Sequence, residues 1–169
     1  KDHLRTERFR LTSLKHNLQL CPDKLSDCYL SVLPEIVHLN DHAYEVCEYL
    51  AARRKVGIIT NGIESVQKRR LEKSGLSPFI EFMVVSEECG YAKPDIRFFK
   101  HAMAKFPGSS KETSLVIGAR LETDIEGAHA FGMDACWYNP SAKANDKIGL
   151  QPKYQIRCLS EIKGITNVE

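Results

Sequence analysis

KVGIITNG, residues 55–62, is an apolar run that ends abruptly in a hydroxyl, a carboxamide and a glycine. Its β-branched residues predict a short strand that is buried on both faces. Thr60, Asn61 and Gly62 then mark the point where the strand stops and a helix begins. A helix N-terminus carries unpaired N–H groups and partial positive charge, so the Thr60 hydroxyl and the nearby amides can bind one anion. The alternative is an ordinary loop of the same composition.

After this run, segments with strand character alternate with helices. The predicted strands are residues 56–60, 82–86, 115–118, 135–139 and 154–158, and the helices cover residues 63–74, 95–106 and 123–131. Such alternation is typical of an α/β fold with a parallel sheet and right-handed crossovers. The helix over residues 95–106 carries an aromatic stripe, which we interpret as core packing against the sheet.

The chain before residue 39 has helical periodicity and no strand pattern. Four leucines share one helix face by their spacing: Leu4, Leu11, Leu14 and Leu18. Pro22 begins a second short helix, and Pro34 ends it. We therefore predict a helical unit over residues 1–38 and an α/β domain over residues 39–169. The leucine face predicts a packing surface for further helices or for a second subunit in a homodimer.

Composition excludes several classes of protein. The 169 residues suffice for one domain with a small appendage. A net charge of +2 is too small for a nucleic-acid-binding surface, and no apolar stretch approaches the roughly 20 residues of a membrane span. The six cysteines form neither a CxxC pair nor a Cys/His cluster with metal-ligand spacing. Free thiols in a reducing cytosol are favoured over a disulfide framework, so we predict a cytoplasmic protein.

Ligands of parallel sheets bind beyond the carboxyl ends of the strands. After the second strand, Lys93 can bring a compact positive charge to the edge that holds Thr60, with Pro94 opening the next helix. A surface lysine is the alternative. After the third strand, Asp124 lies among acidic residues at a helix N-terminus, where such residues are commonly caps. A cation and a hydroxyl beside a carboxylate are also what Mg²⁺-assisted phosphoryl transfer requires.

Four stretches, IITNG, YAKPDIRFF, VIGARLETDIEGA and FGMDACWYN, resemble the haloacid dehalogenase superfamily of hydrolases. Within it they are similar to the branch of nucleoside 5′-monophosphate phosphatases and N-acylneuraminate 9-phosphatase. The resemblance covers residues 33–158 and is specific for the superfamily, not for a substrate. It implies a Rossmann-like three-layer parallel sheet. The leading helices, residues 1–38, then form part of a helical cap, which in this family follows the first strand.

The resemblance also implies an activity, a Mg²⁺-dependent hydrolysis of small phosphomonoesters. A nucleophilic Asp attacks the phosphate, an aspartyl-phosphate forms, and water hydrolyses it with a second Asp as acid and base. By this resemblance Thr60 and the amides of Asn61 and Gly62 hold the phosphoryl group. Lys93 is the catalytic cation that neutralises the nucleophile and the phosphate, and Asp124 belongs to the metal site.

Two departures from the family pattern argue against turnover. The DxDxT motif that supplies the nucleophile and the acid/base is absent from the 169 residues, and Ala119 stands where the family has a metal-binding Asp. Asp124 lies more than one helical turn further on. Mg²⁺ depends on one or two carboxylates, so we predict that this chain is inactive. The alternative is a degenerate member that binds a phosphorylated ligand or a protein without catalysis. Cleavage of carbon–halogen or phosphorus–carbon bonds is a third, less favoured hypothesis.

The absent motif also removes a strand that lies, in the family, between the strands at residues 56–60 and 115–118. Its loss leaves backbone edges unpaired, at roughly 1–3 kcal/mol for each buried unsatisfied group. A preceding segment, another chain or a rearrangement of strands can fill the gap. We favour the first, because the sequence begins with Lys1 and not with methionine.

Overall fold

The computed structural model describes the backbone of residues 2–166 and the side chains of residues 6–166. The chain divides into two compact units, Lys1–Val37 and His38–Glu169. The assignment of the first unit to a helical cap stays a prediction. None of the described helices has the length and apolarity needed to cross a membrane.

The first unit is a helical hairpin. Helix α1 is Asp2–Lys15, helix α2 is Pro22–Val32, and a single 3₁₀ turn, Leu33–Glu35, follows. The Phe9 ring of α1 meets the Tyr29 ring of α2 edge to face, with 5.7 Å between the centroids, and the Arg8 guanidinium lies over both rings. Small side chains are also buried in this unit, with Ser13 7% and Ser26 5% exposed.

The leucine face is only partly as predicted. Leu11 and Leu14 lie on α1 and are 52% and 65% exposed, so the unit itself does not cover them. Leu18 lies beyond the helix, because Asn17 adopts a left-handed conformation with φ of 51° and ends α1. The prediction that Leu18 shares the helix face is therefore wrong. The Leu4 side chain lies outside the described residues, and packing of this face on other helices or a second subunit stays a prediction.

The second unit alternates strands and helices as the sequence predicts. Its elements are α3 Ala43–Ala51, β1 Gly57–Thr60, α4 Glu64–Ser74, β2 Phe82–Val85, α5 Ser86–Cys89, α6 Ile96–Ala104, β3 Leu115–Gly118, a π-helical turn Leu121–Ile125 that continues into α7 Glu126–Phe131, β4 Asp134–Tyr138, β5 Tyr154–Ile156 and α8 Ile162–Thr166. All the strand pairs described are parallel. The α/β fold predicted from the sequence is confirmed.

The described strands form two sheets that do not join. Strand β1 pairs with β2, and β3, β4 and β5 form the other sheet in that order. No described strand pairs with both β1 and β3, and the sequence predicts that the strand between them is absent. Every residue of β1 is only half-buried, and Ile117 of β3 is 37% exposed. The expected burial of β1 on both faces is wrong, because β1 has a paired neighbour on one side only.

The core of the second unit confirms the interpretation of the aromatic stripe. Phe98 and Phe99 of α6 are 0% and 1% exposed, and they pack with residues of β2, β3, β4 and α7. Gly127 of α7 allows this packing, because a Cβ there would lie 2.4 Å from the Phe99 ring. Helix α6 is thereby held firmly against the sheet, directly after the segment that carries Lys93.

Burial makes one thiol inert. Cys136 in β4 is fully buried, and desolvation, followed by the charge of Glu161, raises the pKa of its thiol to about 11. Cys21 and Cys28 are exposed. The thiolate is the reactive form, so iodoacetamide at pH 8 should label the exposed pair quickly and Cys136 only after unfolding. Peptide mass spectrometry checks this, and labelling of Cys136 at the rate of Cys21 in the folded protein would contradict it.

Candidate functional site

The Lys93 side chain joins the carboxyl ends of the two sheets. Its ammonium group donates a hydrogen bond to the Ile59 carbonyl of β1 at 2.9 Å. It also pairs with Asp124 Oδ1 at 2.7 Å, in the π-helical turn that follows β3. The two charged side chains are 10% and 12% exposed. Lys93 is therefore a largely buried cation at the edge predicted to bind a ligand, and not the surface lysine of the alternative interpretation.

Both oxygens of the Asp124 carboxylate accept hydrogen bonds from donors of its own chain. Besides the Lys93 ammonium, Oδ1 accepts from the Thr123 hydroxyl at 3.4 Å, and Oδ2 accepts the backbone N–H of Arg120 at 3.0 Å. Asp124 is not the N-cap of the turn, because Arg120 holds that position and makes no side-chain cap bond; the Asp124 carboxylate instead reaches back from within the turn to the Arg120 N–H. A buried ion pair is tolerated only when further hydrogen bonds satisfy both charges, and Asp124 meets this condition.

A close approach to Gly118 brings Asp124 to the end of β3. A Cβ added to Gly118 would lie 2.4 Å from the Asp124 Cβ, so only glycine leaves room for the carboxylate there. The Asp124 N–H bonds to the Arg120 carbonyl at 2.9 Å, and this turn folds the side chain back over the strand. Asp124 is five residues from Ala119 in sequence, but the turn returns its side chain to the strand end. The spacing alone does not predict this.

The polar groups after β1 are mostly engaged within the protein. The Asn61 carboxamide bonds to the backbone of Lys93, and the Gly62 N–H donates to the Ser86 hydroxyl at 3.2 Å. At the start of α4, the Glu64 N–H donates to the Glu87 carboxylate at 2.8 Å. Among the described residues, the structure shows no partner for the Thr60 hydroxyl. The roles of Thr60, Asn61 and Gly62 in phosphate binding stay predictions, and that of Gly62 requires its amide to leave Ser86.

Pro94 does not open the next helix. Helix α6 begins at Ile96, and Asp95 caps it by accepting the Arg97 N–H at 2.9 Å. Lys93 and Pro94 are joined by a cis peptide bond and lie in a turn closed by the Asp95 N–H and the Ala92 carbonyl. Pro94 therefore lies outside the helix, and the observed start at Ile96 is one residue after the start of the predicted helix over residues 95–106, because Asp95 is the N-cap.

Ala119 is held by a residue that the sequence analysis does not assign to the site. The Trp137 indole N–H, on the buried strand β4, donates to the Ala119 carbonyl at 3.2 Å. Trp137 is 3% exposed, and a buried indole N–H requires a partner. This hydrogen bond fixes the backbone at the position where a metal-binding carboxylate was expected. The sequence contains one indication of this contact, because the N–H of a tryptophan on a buried strand needs a hydrogen-bond acceptor nearby.

Sequence comparison identifies the family of this chain. The profile of the haloacid dehalogenase-like hydrolases matches residues 7–138. The chain belongs to this family. A Bacillus subtilis member assigned to the HAD hydrolases, YfnB, is 34% identical over 169 residues, which cover 100% of this chain and 72% of YfnB. The pyrimidine 5′-nucleotidase YjjG of Escherichia coli is 29% identical over 160 residues, covering 95% of this chain and 71% of YjjG.

The three-dimensional fold agrees with this assignment to the haloacid dehalogenase-like hydrolases. A crystal structure of YfnB described as bound to magnesium superposes with a TM-score of 0.92 and 33% sequence identity. It covers 99% of this chain and 73% of the YfnB chain. Membership in the superfamily is thus established for both sequence and fold, whereas the branch within it is not.

The residues of this haloacid dehalogenase-like chain do not fit a magnesium ion as they stand. Within residues 6–166 no three His, Cys, Asp or Glu side chains are grouped as a metal site requires. Ala119 offers no side-chain oxygen, and both oxygens of Asp124 already accept hydrogen bonds. Mg²⁺ needs octahedral oxygen ligands that include at least one free carboxylate. A metal would have to compete with Lys93 for Asp124.

Proposed function

We propose that this chain binds the phosphate of a small phosphorylated metabolite at the carboxyl ends of β1 and β3, as a phosphomonoester hydrolase of its family does. The buried Lys93 ammonium carries the proposal. It lies in the fold where substrates of parallel sheets bind, and its only described anionic partner is Asp124. A largely buried ammonium that bonds to the Ile59 carbonyl, one residue before Thr60, suits a phosphate, because charge neutralisation contributes most of the stabilisation in phosphoryl transfer.

In this proposal Thr60 and Lys93 contact the ligand directly. The Thr60 hydroxyl donates to one phosphate oxygen, and Lys93 shares its charge between Asp124 and the phosphate. Hydrolysis additionally requires a carboxylate nucleophile that attacks phosphorus, expels the alcohol and is later released by water. The 169 residues hold no DxDxT motif, so we expect binding without turnover from the chain as it stands.

The substrate class that we propose is the nucleoside 5′-monophosphates. Two lines of support are the sequence motifs, which resemble that branch, and the similarity to the nucleotidase YjjG. The helical unit Lys1–Val37 would supply selectivity as part of the cap. The six unpaired thiols support a cytoplasmic location, because free cysteines persist in a reducing compartment.

A second candidate function is a non-catalytic binding protein of the same fold. Ala119 favours it, since the alanine methyl group has no oxygen that could bind a metal. We propose that Mg²⁺ binds only when residue 119 is acidic, and the magnesium-bound YfnB structure supports a metal requirement for catalytic members. The two candidates share the phosphate-binding residues and differ in whether an acidic residue 119 restores turnover in a chain that also carries a DxDxT strand.

Binding of uridine 5′-monophosphate tests the proposal without requiring activity. We expect the nucleotide and inorganic phosphate to bind in isothermal titration calorimetry, and uridine to bind much more weakly. Thr60→Val keeps the β-branched shape and removes the hydroxyl, so it should weaken phosphate binding about tenfold.

Thr166→Val is the matched control, because the Thr166 hydroxyl bonds only to the Ile162 carbonyl of its own helix in the described structure. It should leave the affinity for phosphate unchanged. Equal binding of uridine and its monophosphate, or equal affinities of Thr60→Val and Thr166→Val, would refute a phosphate site at Thr60.

A further inference from the structure

The Asn61 side chain makes a reciprocal pair of hydrogen bonds with one residue far along the chain. Its Nδ2 donates to the Lys93 carbonyl at 2.8 Å, and its Oδ1 accepts the Lys93 N–H at 2.8 Å. The two residues are 32 positions apart. One carboxamide thereby satisfies both backbone groups of Lys93.

Lys93 needs such an anchor because its backbone belongs to neither a strand nor a helix. It lies in the turn between α5 and α6, where no regular ladder supplies partners for its N–H and carbonyl groups. Its ammonium group is nevertheless fixed between Ile59 and Asp124 at the end of a flexible four-carbon stem. The position of the ammonium therefore depends on where the backbone of Lys93 is held.

Burial does not account for the Asn61 contact. Asn61 is exposed, so water could satisfy its carboxamide without a cost in free energy. Asn139 offers a direct comparison, because it binds the backbone of Lys143 in the same reciprocal way, at 2.9 and 3.0 Å. Asn139 is only 3% exposed and must find protein partners. We therefore attribute the contact of Asn61 to its partner, the backbone of Lys93, and not to the burial of Asn61.

We infer that Asn61 is a positioning residue, which holds the Lys93 backbone so that the ammonium group meets both Asp124 and a bound phosphate. Its carboxamide does not itself contact the ligand. The part of this inference that concerns phosphate rests on the proposed function, whereas the part that concerns the Lys93 ammonium does not. Thr60, directly before Asn61, is thereby kept at a constant spacing from Lys93, which lies 33 residues later in the sequence.

Two substitutions separate the bonds. Asn61→Ala removes both. Asn61→Asp keeps the acceptor for the Lys93 N–H, but it replaces the donor to the Lys93 carbonyl by a carboxylate oxygen that repels it. Asn139→Ala is the matched control, since it removes the equivalent pair at Lys143. If Asn139→Ala does not fold, Asn145→Ala serves instead, because Asn145 also bonds to two loop backbone groups.

The decisive measurement is the ¹H–¹⁵N spectrum of the lysine ammonium groups in the intact chain. A buried, hydrogen-bonded ammonium exchanges slowly and gives a signal, which Lys93→Arg identifies by its disappearance. We expect both Asn61 variants to lose this signal and to speed hydrogen exchange of the Lys93 amide, while the asparagine control retains both. An unchanged Lys93 ammonium signal in Asn61→Ala would overturn the inference, as would an equal loss in the folded control.

Inorganic phosphate provides the functional arm of the test. Asn61→Asp should lower its affinity about tenfold, and the asparagine control should not change it. If the unmodified chain binds no phosphate, the proposed function fails, yet the ammonium spectrum still decides whether Asn61 positions Lys93. If phosphate binds equally to both Asn61 variants and to the unmodified chain, Asn61 does not position Lys93 for the ligand.

Discussion

Lys93→Met should lower the free energy of unfolding by about 3–5 kcal/mol, the cost of removing one partner from a buried ion pair. Methionine fills a similar volume, so little of this loss would come from a cavity. The cost arises because Asp124, 12% exposed at its side chain, is left buried without a counter-charge. The Ile59 carbonyl also loses its donor. Urea denaturation followed by circular dichroism measures the change.

Lys153→Met is the control for this substitution. It makes the same change of side chain at an ion pair with Asp134 in which both partners are largely exposed, with side chains 51% and 43% accessible. Exposed ion pairs contribute little because water and salt screen them, so the control should remain close to the unmodified chain. A double variant, Lys93→Met with Asp124→Leu, should be more stable than Lys93→Met alone, since no unpaired charge remains. Equal stability of Lys93→Met and Lys153→Met would contradict a buried Lys93–Asp124 pair.

When the chain is extended by a DxDxT strand, Ala119→Asp is expected to convert an inactive protein into a Mg²⁺-dependent phosphatase. The new carboxylate would follow β3 directly and provide the oxygen ligand that Mg²⁺ lacks, at a backbone already fixed by Trp137. The DxDxT strand would supply the nucleophile and fill the gap between β1 and β3. Release of inorganic phosphate from uridine 5′-monophosphate, with and without Mg²⁺, measures the effect.

The same extended chain with Ala119 is the control, and we expect it to release no phosphate above background. Ala119→Asn, which has a neutral oxygen, should be far less active than Ala119→Asp, because Mg²⁺ prefers a carboxylate. If a folded, extended Ala119→Asp chain still releases no phosphate, the non-catalytic binding protein is favoured over an enzyme that has lost its metal ligand. Turnover by the extended chain that retains Ala119 would refute the requirement for an acidic residue at this position.

The succession of strands and helices along the chain could be predicted from local pattern. Runs such as GIIT at residues 57–60 and LVIG at residues 115–118 are short and apolar and end in turn residues, which identifies strands without any knowledge of their partners. The interruption between β1 and β3 followed from a resemblance and not from periodicity. Strand β1 is half-buried, whereas full burial was expected. The burial of a strand depends on which strands pair with it, and periodicity does not report pairing.

By itself, the sequence determined the strands and helices of the α/β unit, the family, and the placement of Thr60 and Lys93 after neighbouring strands. These depend on residue type and local spacing. Only the tertiary structure decided that Asn61 holds Lys93, that Gly118 admits Asp124 to the strand end, and that Trp137 fixes the Ala119 carbonyl. The physical reason is that a hydrogen bond or a close approach is set by distance in space. Asn61 and Lys93 are 32 residues apart, and Ala119 and Trp137 are 18 apart, so local pattern cannot reveal either contact.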